Sequence, residues 1–199
     1  MAFQNIKDLR FAKAKPQKYF IDANVWIYVL DSFSTLSNTE NAYIEFFYSI
    51  IEFEGETKPK IIMNSLLLSE IINTYMRQVA LNQYRIEKGG KIDKVDFKRD
   101  YRPTEHYKKF YSSVCDDIKG YRDSIEVVDD NFIGNKPFEI LQEKKLNADF
   151  NDYYYYLICK NIKQQSTVSI VTHDGDFKFE DIEIITTNQA LKNLITYTK

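Results

Sequence analysis

The chain has 199 residues, of which 44% are hydrophobic and 28% are charged, a balance that favours one globular domain with a buried core. Its formal net charge is -2 and its pI is about 5.8, which excludes a broad basic coat for nucleic acids but not a local basic patch. Cys115 and Cys159 have neither zinc-ligand spacing nor the pattern of a disulfide framework. The first residues lack the apolar segment of a signal peptide, and no run of about 18 apolar residues occurs, so we expect a cytoplasmic protein that does not span a membrane.

Short apolar runs alternate with helical patterns along the chain. The apolar runs predict strands at 18–22, 60–63, 125–128, 168–172 and 182–185. The periodic segments predict helices at 24–31, 39–53, 66–87, 104–119, 136–145, 153–159 and 188–197. Residues 1–17 have a mixed composition and are expected to be a loosely ordered lead-in. This alternation predicts an α/β fold with a central, mainly parallel sheet covered by helices on both faces.

The segment from Lys88 to Pro103 interrupts the pattern and is rich in positive charge. It holds six basic residues against three acids. The basic residues are Lys88, Lys91, Lys94, Lys98, Arg99 and Arg102. A solvated loop is one interpretation of this segment, and a phosphate-contacting role is the other.

Acidic residues recur where predicted strands end and helices begin. Asp22, Asp174 and Asp176 directly follow strands, Glu70 lies early in the helix after the second strand, and Asp152 opens a helix. In a parallel sheet these positions share one edge, where ligands bind. Carboxylates gathered there repel one another unless a hard divalent cation such as Mg²⁺ neutralises them. Hydrolysis of a phosphodiester is the reaction that such a site supports.

Each of these residues also has a simpler interpretation. Asp22 and Asp152 could serve only as helix N-caps, and residues 174–176 could form a plain turn. Glu70 lies opposite the apolar stripe of its helix, as solvent-facing residues do. The four tyrosines at 153–156 are interpreted as core and interface residues, because they cover every side of one helical turn.

Four pieces of the sequence resemble the motifs of PIN domains, the metal-dependent nuclease family that includes the VapC-type toxins. They are FIDANV at 20–25, SEII at 69–72, NDY at 151–153 with LICK at 157–160, and VTHDGDF at 171–177. The last piece is the most specific, and the resemblance spans residues 18–187. It implies a three-layer α/β/α fold, a Mg²⁺ or Mn²⁺ site, cleavage of single-stranded RNA and frequent homodimers.

The resemblance also assigns roles to individual residues. The implied metal ligands, which also orient the attacking water, are Asp22, Glu70, Asp152 and Asp174, with Asp176 as a further ligand or support. Asn24 and Thr172 are implied to hold the carboxylates in place. Asp149 is a rival for the third acid, and we prefer Asp152 because the apolar helix begins directly after it.

The sequence departs from the family pattern in two places. Ala23 stands where the family commonly has Thr or Ser, and the stretch at about 80–124 is longer and more charged than in compact toxins of this family. We therefore interpret residues 1–199 as a single PIN-like domain with an enlarged helical insertion.

The predicted function is a Mg²⁺- or Mn²⁺-dependent endoribonuclease acting on single-stranded or structured RNA, with a toxin paired to an antitoxin protein as its setting. Lys91, Lys94, Lys98, Arg99 and Arg102 are its candidate RNA contacts. A non-catalytic PIN-like module that binds RNA or protein is the alternative. A phosphatase with Asp22 as nucleophile is a second alternative, although Asn24 occupies the position where such enzymes usually carry another Asp.

Overall fold

Six parallel strands form the centre of the computed structural model, which describes residues 5–89, 95–141 and 148–194. The strands are β1 (Ile6–Asp8), β2 (Lys18–Ile21), β3 (Lys60–Met63), β4 (Ile125–Val127), β5 (Val168–Val171) and β6 (Glu183–Thr186). Their order across the sheet is β1-β6-β5-β2-β3-β4, and every neighbouring pair is parallel. The α/β fold with a parallel sheet is therefore confirmed.

The chain direction and the pairing place β2 at the centre of the sheet. Lys18 of β2 pairs with Lys60 of β3 on one side and with Val168 of β5 on the other. These strands are buried on both faces and are mostly apolar, as is usual for a central parallel strand. Because the strands run in register, their carboxyl ends lie at one edge of the sheet.

Helices cover both faces of the sheet. They are α1 (Ala23–Leu30), α2 (Asn38–Ile51), α3 (Ser65–Tyr75), α4 (Leu81–Glu87), α5 (Glu105–Gly120), α6 (Pro137–Ile140), α7 (Phe150–Lys163) and α8 (Gln189–Asn193). Tyr19 of β2 contacts Phe46 of α2, whereas the next residue, Phe20, contacts Tyr155 of α7. Since successive side chains of a strand point to opposite faces, α2 and α7 lie on opposite sides of the sheet and form the outer layers.

The predicted elements differ from the structure in three places. Ile6–Asp8 forms an edge strand paired with β6, so the expectation of a loosely ordered lead-in is wrong for these residues. The single helix predicted at 66–87 is interrupted by a π-helical turn at Met76–Ala80. A second π-helical turn, Phe97–Tyr101, lies in the 88–103 segment, where no helix was predicted and a solvated loop was one interpretation. Parts of the helices predicted at 136–145 and 188–197 lie outside the described residues.

The described helices are also informative about membranes. Within residues 5–89, 95–141 and 148–194, no helix is long and apolar enough to cross a bilayer. The apolar side chains instead pack into a core whose largest fully buried members include Trp26, Tyr19 and Tyr43.

Candidate active site

Asp22 is the most buried acid of the protein's described part and follows the central strand β2. Its side chain is 6% exposed. Thr172 Oγ1 donates to Asp22 Oδ2 at 2.6 Å, and Asn24 Nδ2 donates to the same oxygen at 2.7 Å. Burial raises the pKa of Asp22 to about 7, against the hydrogen bond from Thr172, and the charges of Glu70 and Asp174 raise it further. The Asp22 carboxyl group is therefore fixed in position by two hydrogen bonds, and without a cation it ionises less readily than an ordinary Asp.

Asp152 lies in the first turn of α7 and belongs to the same group of charges. Burial is the largest cause that raises its pKa to about 8, and the neighbouring carboxylate of Asp149 is the second. Asp22, Asp174 and Glu70 add to the shift. The four acids implied as metal ligands therefore lie near enough to act on one another.

Asp149 and Asp152 have different roles in the structure. Asp149 is the N-cap of α7, because its Oδ1 accepts the backbone N–H of Asp152 at 3.0 Å. Its side chain is exposed, whereas Asp152 is partly buried. The simple N-cap interpretation that was considered for Asp152 thus applies to Asp149.

Glu70 reaches the group from α3 and is held by α7. Tyr155 Oη donates to Glu70 Oε2 at 2.6 Å, and Asn151 Nδ2 donates to the same oxygen at 3.2 Å. The interpretation of Glu70 as an ordinary solvent-facing residue is therefore wrong. The tyrosines at 154–156 are buried, as predicted, but the hydrogen bond from Tyr155 to an acid was not expected from the sequence.

The 174–176 segment follows β5 and is joined to the group through its backbone. The Asp174 N–H donates to Thr172 Oγ1 at 2.9 Å, so one hydroxyl links Asp174 to Asp22. The Asp176 N–H donates to Asp174 Oδ1 at 2.9 Å. Asp176 is exposed, and its carboxylate is not among the charges that shift the pKa of Asp22 or Asp152.

Asn64 and Asp130 also follow strands at this edge, and the sequence interpretation gave neither a role in the site. Asn64 is level with Asp22, since Phe20 pairs with Ile62 one strand away. Its Oδ1 caps α3 by accepting the Leu67 N–H at 2.8 Å, and its side chain is 3% exposed. Asn64 Nδ2 and Asp130 Oδ1 are buried without a hydrogen-bond partner among the described residues. The rule that selected Asp22, a polar residue directly after a strand, also selects Asn64, whereas Asp130 lies three residues after the end of β4.

The candidate RNA contacts are only partly described. Lys91 and Lys94 lie outside the described residues. Lys98, Arg99 and Arg102 are exposed, and Arg99 is paired with Asp100 at 2.8 Å. Among the described side chains, Lys98, Arg99 and Arg102 form no ion pair with Asp22, Glu70, Asp152 or Asp174.

Tyr43 is a buried residue that fixes the ends of β5 and β6 behind the acids. Its hydroxyl donates to the Thr172 carbonyl at 2.8 Å and accepts the Thr187 N–H at 2.9 Å.

Tyr43→Phe removes this hydroxyl and leaves two backbone groups without their partner, so we expect it to lower the free energy of unfolding by about 1–3 kcal/mol. Urea denaturation measures the change. Tyr48→Phe is the control, because Tyr48 lies on the same helix and is 37% exposed; an equal effect of both substitutions would contradict the assignment.

The donor set of the site suits a hard divalent cation. Carboxylate oxygens are the ligands that Mg²⁺ and similar ions take, and none of the described lysines or arginines is paired with Asp22, Glu70, Asp152 or Asp174. Across the described ranges, no three acidic, His or Cys side chains already converge closely enough to hold an ion. The residues fit a cation by chemistry and by their uncompensated charge, and their present positions do not form a finished coordination shell.

Carboxylates in such a group serve several kinds of metal-dependent hydrolase, so the site indicates a chemistry rather than a family. No protein-family model matches the chain, and no curated protein matches it significantly. The similarity to PIN domains is therefore a resemblance of motifs, and function is inferred from the residues of the site.

Proposed function

We propose that this protein is a Mg²⁺- or Mn²⁺-dependent endoribonuclease that hydrolyses phosphodiester bonds of single-stranded RNA. The observation that carries the proposal is the group of Asp22, Glu70, Asp152 and Asp174 at one sheet edge, where burial and mutual repulsion raise the pKa of Asp22 and Asp152. Such repulsion destabilises a folded protein unless a ligand offsets it, and a divalent cation is the ligand that carboxylates select.

The chain's own residues have distinct tasks in this reaction. Asp22, Glu70, Asp152 and Asp174 would hold the cation. A bound divalent cation lowers the pKa of a water molecule and stabilises the charge that develops on the phosphate. Thr172 and Asn24 fix Asp22 by hydrogen bonds to one of its oxygens, Oδ2. Direct attack by water is preferred over the phosphatase alternative, because Asn24 occupies the position where phosphatases with a nucleophilic Asp usually carry a second Asp.

The choice of RNA and the biological setting come from the motif resemblance. A toxin paired with an antitoxin and a homodimeric state stay predictions of that resemblance. Of the candidate RNA contacts, Lys98 and Arg102 are exposed and available to RNA phosphates. The non-catalytic binding module is the alternative against which the enzyme must be tested.

Cleavage of fluorescently labelled single-stranded RNAs of mixed sequence by purified protein tests the proposal. We expect cleavage with Mn²⁺ or Mg²⁺ and none with EDTA. Asp22→Asn should lower the rate by about 100-fold or more, because a metal contributes several kcal/mol to the transition state and each 1.4 kcal/mol is a factor of ten.

A matched variant guards against a contaminating nuclease. Asp123→Asn changes an acid whose side chain is 95% exposed just before β4, at the opposite edge of the sheet, and it should cleave like wild type. Equal activity of wild type and Asp22→Asn would show that the cleavage does not come from this site. If wild type neither cleaves RNA nor binds Mn²⁺, the proposed enzyme is rejected and the non-catalytic binding module is the remaining hypothesis.

A further inference from the structure

One oxygen of Glu70 is held by two side chains of α7. Tyr155 Oη donates to Glu70 Oε2 at 2.6 Å and Asn151 Nδ2 donates to it at 3.2 Å. Tyr155 and Asn151 are four residues apart, so they lie on the same side of α7. Asp152 lies on the same helix. Helix α7 therefore supplies one acid of the site and two hydrogen-bond donors to another.

The core fixes where the Tyr155 hydroxyl lies. Tyr155 is 0% exposed, and its ring centroid is 4.8 Å from that of Phe20 in β2, the strand that ends at Asp22. A buried aromatic ring packed against a central strand has little freedom to move. The donor to Glu70 is thus set by the same strand that positions Asp22.

Both donors act on Oε2, and Glu70 Oε1 has no protein donor among the hydrogen bonds of the described residues. Hydrogen bonds to a charged acceptor are short and strong, as the 2.6 Å contact is. We propose that Tyr155, assisted by Asn151, is a positioning residue for divalent-cation binding, which holds one oxygen of Glu70 and leaves the other to the cation. This inference rests on the proposed metal-dependent function.

Residues that orient metal ligands contribute strongly to metal affinity without contacting the ion. Loss of such a partner typically costs 10–100-fold in affinity. Without the Tyr155 hydroxyl, the Glu70 side chain can adopt rotamers that do not point into the site. Cation binding must then order this side chain, and the entropy lost in doing so weakens the binding. Tyr155→Phe keeps the ring against Phe20 and deletes only the donor.

Titration of the metal-free protein with Mn²⁺, followed by the electron paramagnetic resonance signal of free Mn²⁺, tests the proposal. Tyr155→Phe should weaken binding about 10–100-fold. Tyr156→Phe is the matched control, because the next residue of the helix is 9% exposed and its hydroxyl accepts from Lys160. The acid beside that hydroxyl is Asp181, which is not one of the four acids of the site. This control should bind Mn²⁺ like wild type. Asn151→Ala should weaken binding in the same direction by a smaller factor, since its hydrogen bond is longer.

Thermal unfolding of the same variants without metal separates positioning from folding. If Tyr155→Phe unfolds at a lower temperature but binds Mn²⁺ as tightly as wild type, Tyr155 is a core residue and the inference is overturned while the proposed function stands. If wild type itself binds no Mn²⁺, both the inference and the proposed function fail. Weaker binding by Tyr155→Phe with the control unchanged supports both.

Discussion

Asp152→Asn should abolish RNA cleavage, whereas Asp149→Ser should leave most of it. Burial is the largest cause of the raised pKa of Asp152, and the charges of Asp22, Asp174 and Glu70 also raise it, so this carboxylate belongs to the acidic group. Asp149 is exposed and caps α7 through the N–H of Asp152, a task that serine also performs well. We expect a rate loss of about 100-fold or more for Asp152→Asn, because removal of a metal ligand costs several kcal/mol in the transition state.

Single-turnover cleavage at saturating Mn²⁺ measures both variants, with circular dichroism to show that α7 is intact. A small effect of Asp149→Ser is expected in addition, because the charge of Asp149 is the second cause of the raised pKa of Asp152. If Asp149→Ser is as inactive as Asp152→Asn while its helix is intact, Asp149 is a ligand and the preference for Asp152 is wrong.

The strands could be predicted from the sequence because their signals are local. Each of β2, β3 and β5 is a short and mostly apolar segment, as burial on both faces favours. Strand β1 has only Ile6 as a buried apolar residue, and its pairing partner β6 lies far away in the sequence. No local pattern could have predicted it. The π-helical turn at 76–80 likewise leaves the apolar periodicity nearly unchanged, so the sequence predicted one continuous helix.

The acids of the site were predictable to different degrees. Asp22 directly follows β2 and Asp174 lies three residues after the end of β5, and in a parallel sheet those positions place them at one edge. Glu70 lies on the side of α3 away from its apolar stripe, which for an isolated helix means solvent. In the fold, Tyr155 of α7 contacts that side. Which helix contacts Glu70 depends on tertiary packing, which helical periodicity does not contain. Periodicity therefore indicated solvent around Glu70 and could not assign a role to Tyr155.

The metal-free protein should become less stable as the pH rises from about 4 to 8. In the unfolded chain Asp152 releases its proton near its ordinary pKa of 3.8, whereas in the folded protein its pKa is about 8. The folded state therefore binds more protons across this window, and stability falls as pH increases. Because solvent screens the partly exposed Asp152, we expect this residue to contribute about 2 kcal/mol of the loss. The raised pKa of Asp22 acts in the same direction.

Urea denaturation in EDTA at several pH values, for wild type and Asp152→Asn, measures this effect. The variant cannot acquire the charge, so it should match wild type near pH 4 and exceed its stability near pH 8. The difference between the two proteins removes the contribution of other groups, such as His106, whose lowered pKa acts in the opposite direction. Asp123→Asn, at the opposite edge, should follow the wild-type curve. Parallel curves for wild type and Asp152→Asn would contradict the raised pKa.

Divalent cations should reverse the loss in wild type. A cation that binds only the folded protein adds stability in proportion to the logarithm of its concentration over Kd, and it binds the ionised carboxylates. Addition of Mg²⁺ should therefore stabilise wild type more near pH 8 than near pH 5 and stabilise Asp152→Asn little at either pH. The negative charge of Asp152 would then destabilise the metal-free protein and also bind the cation. The site would therefore gain metal affinity at a cost in the stability of the metal-free fold.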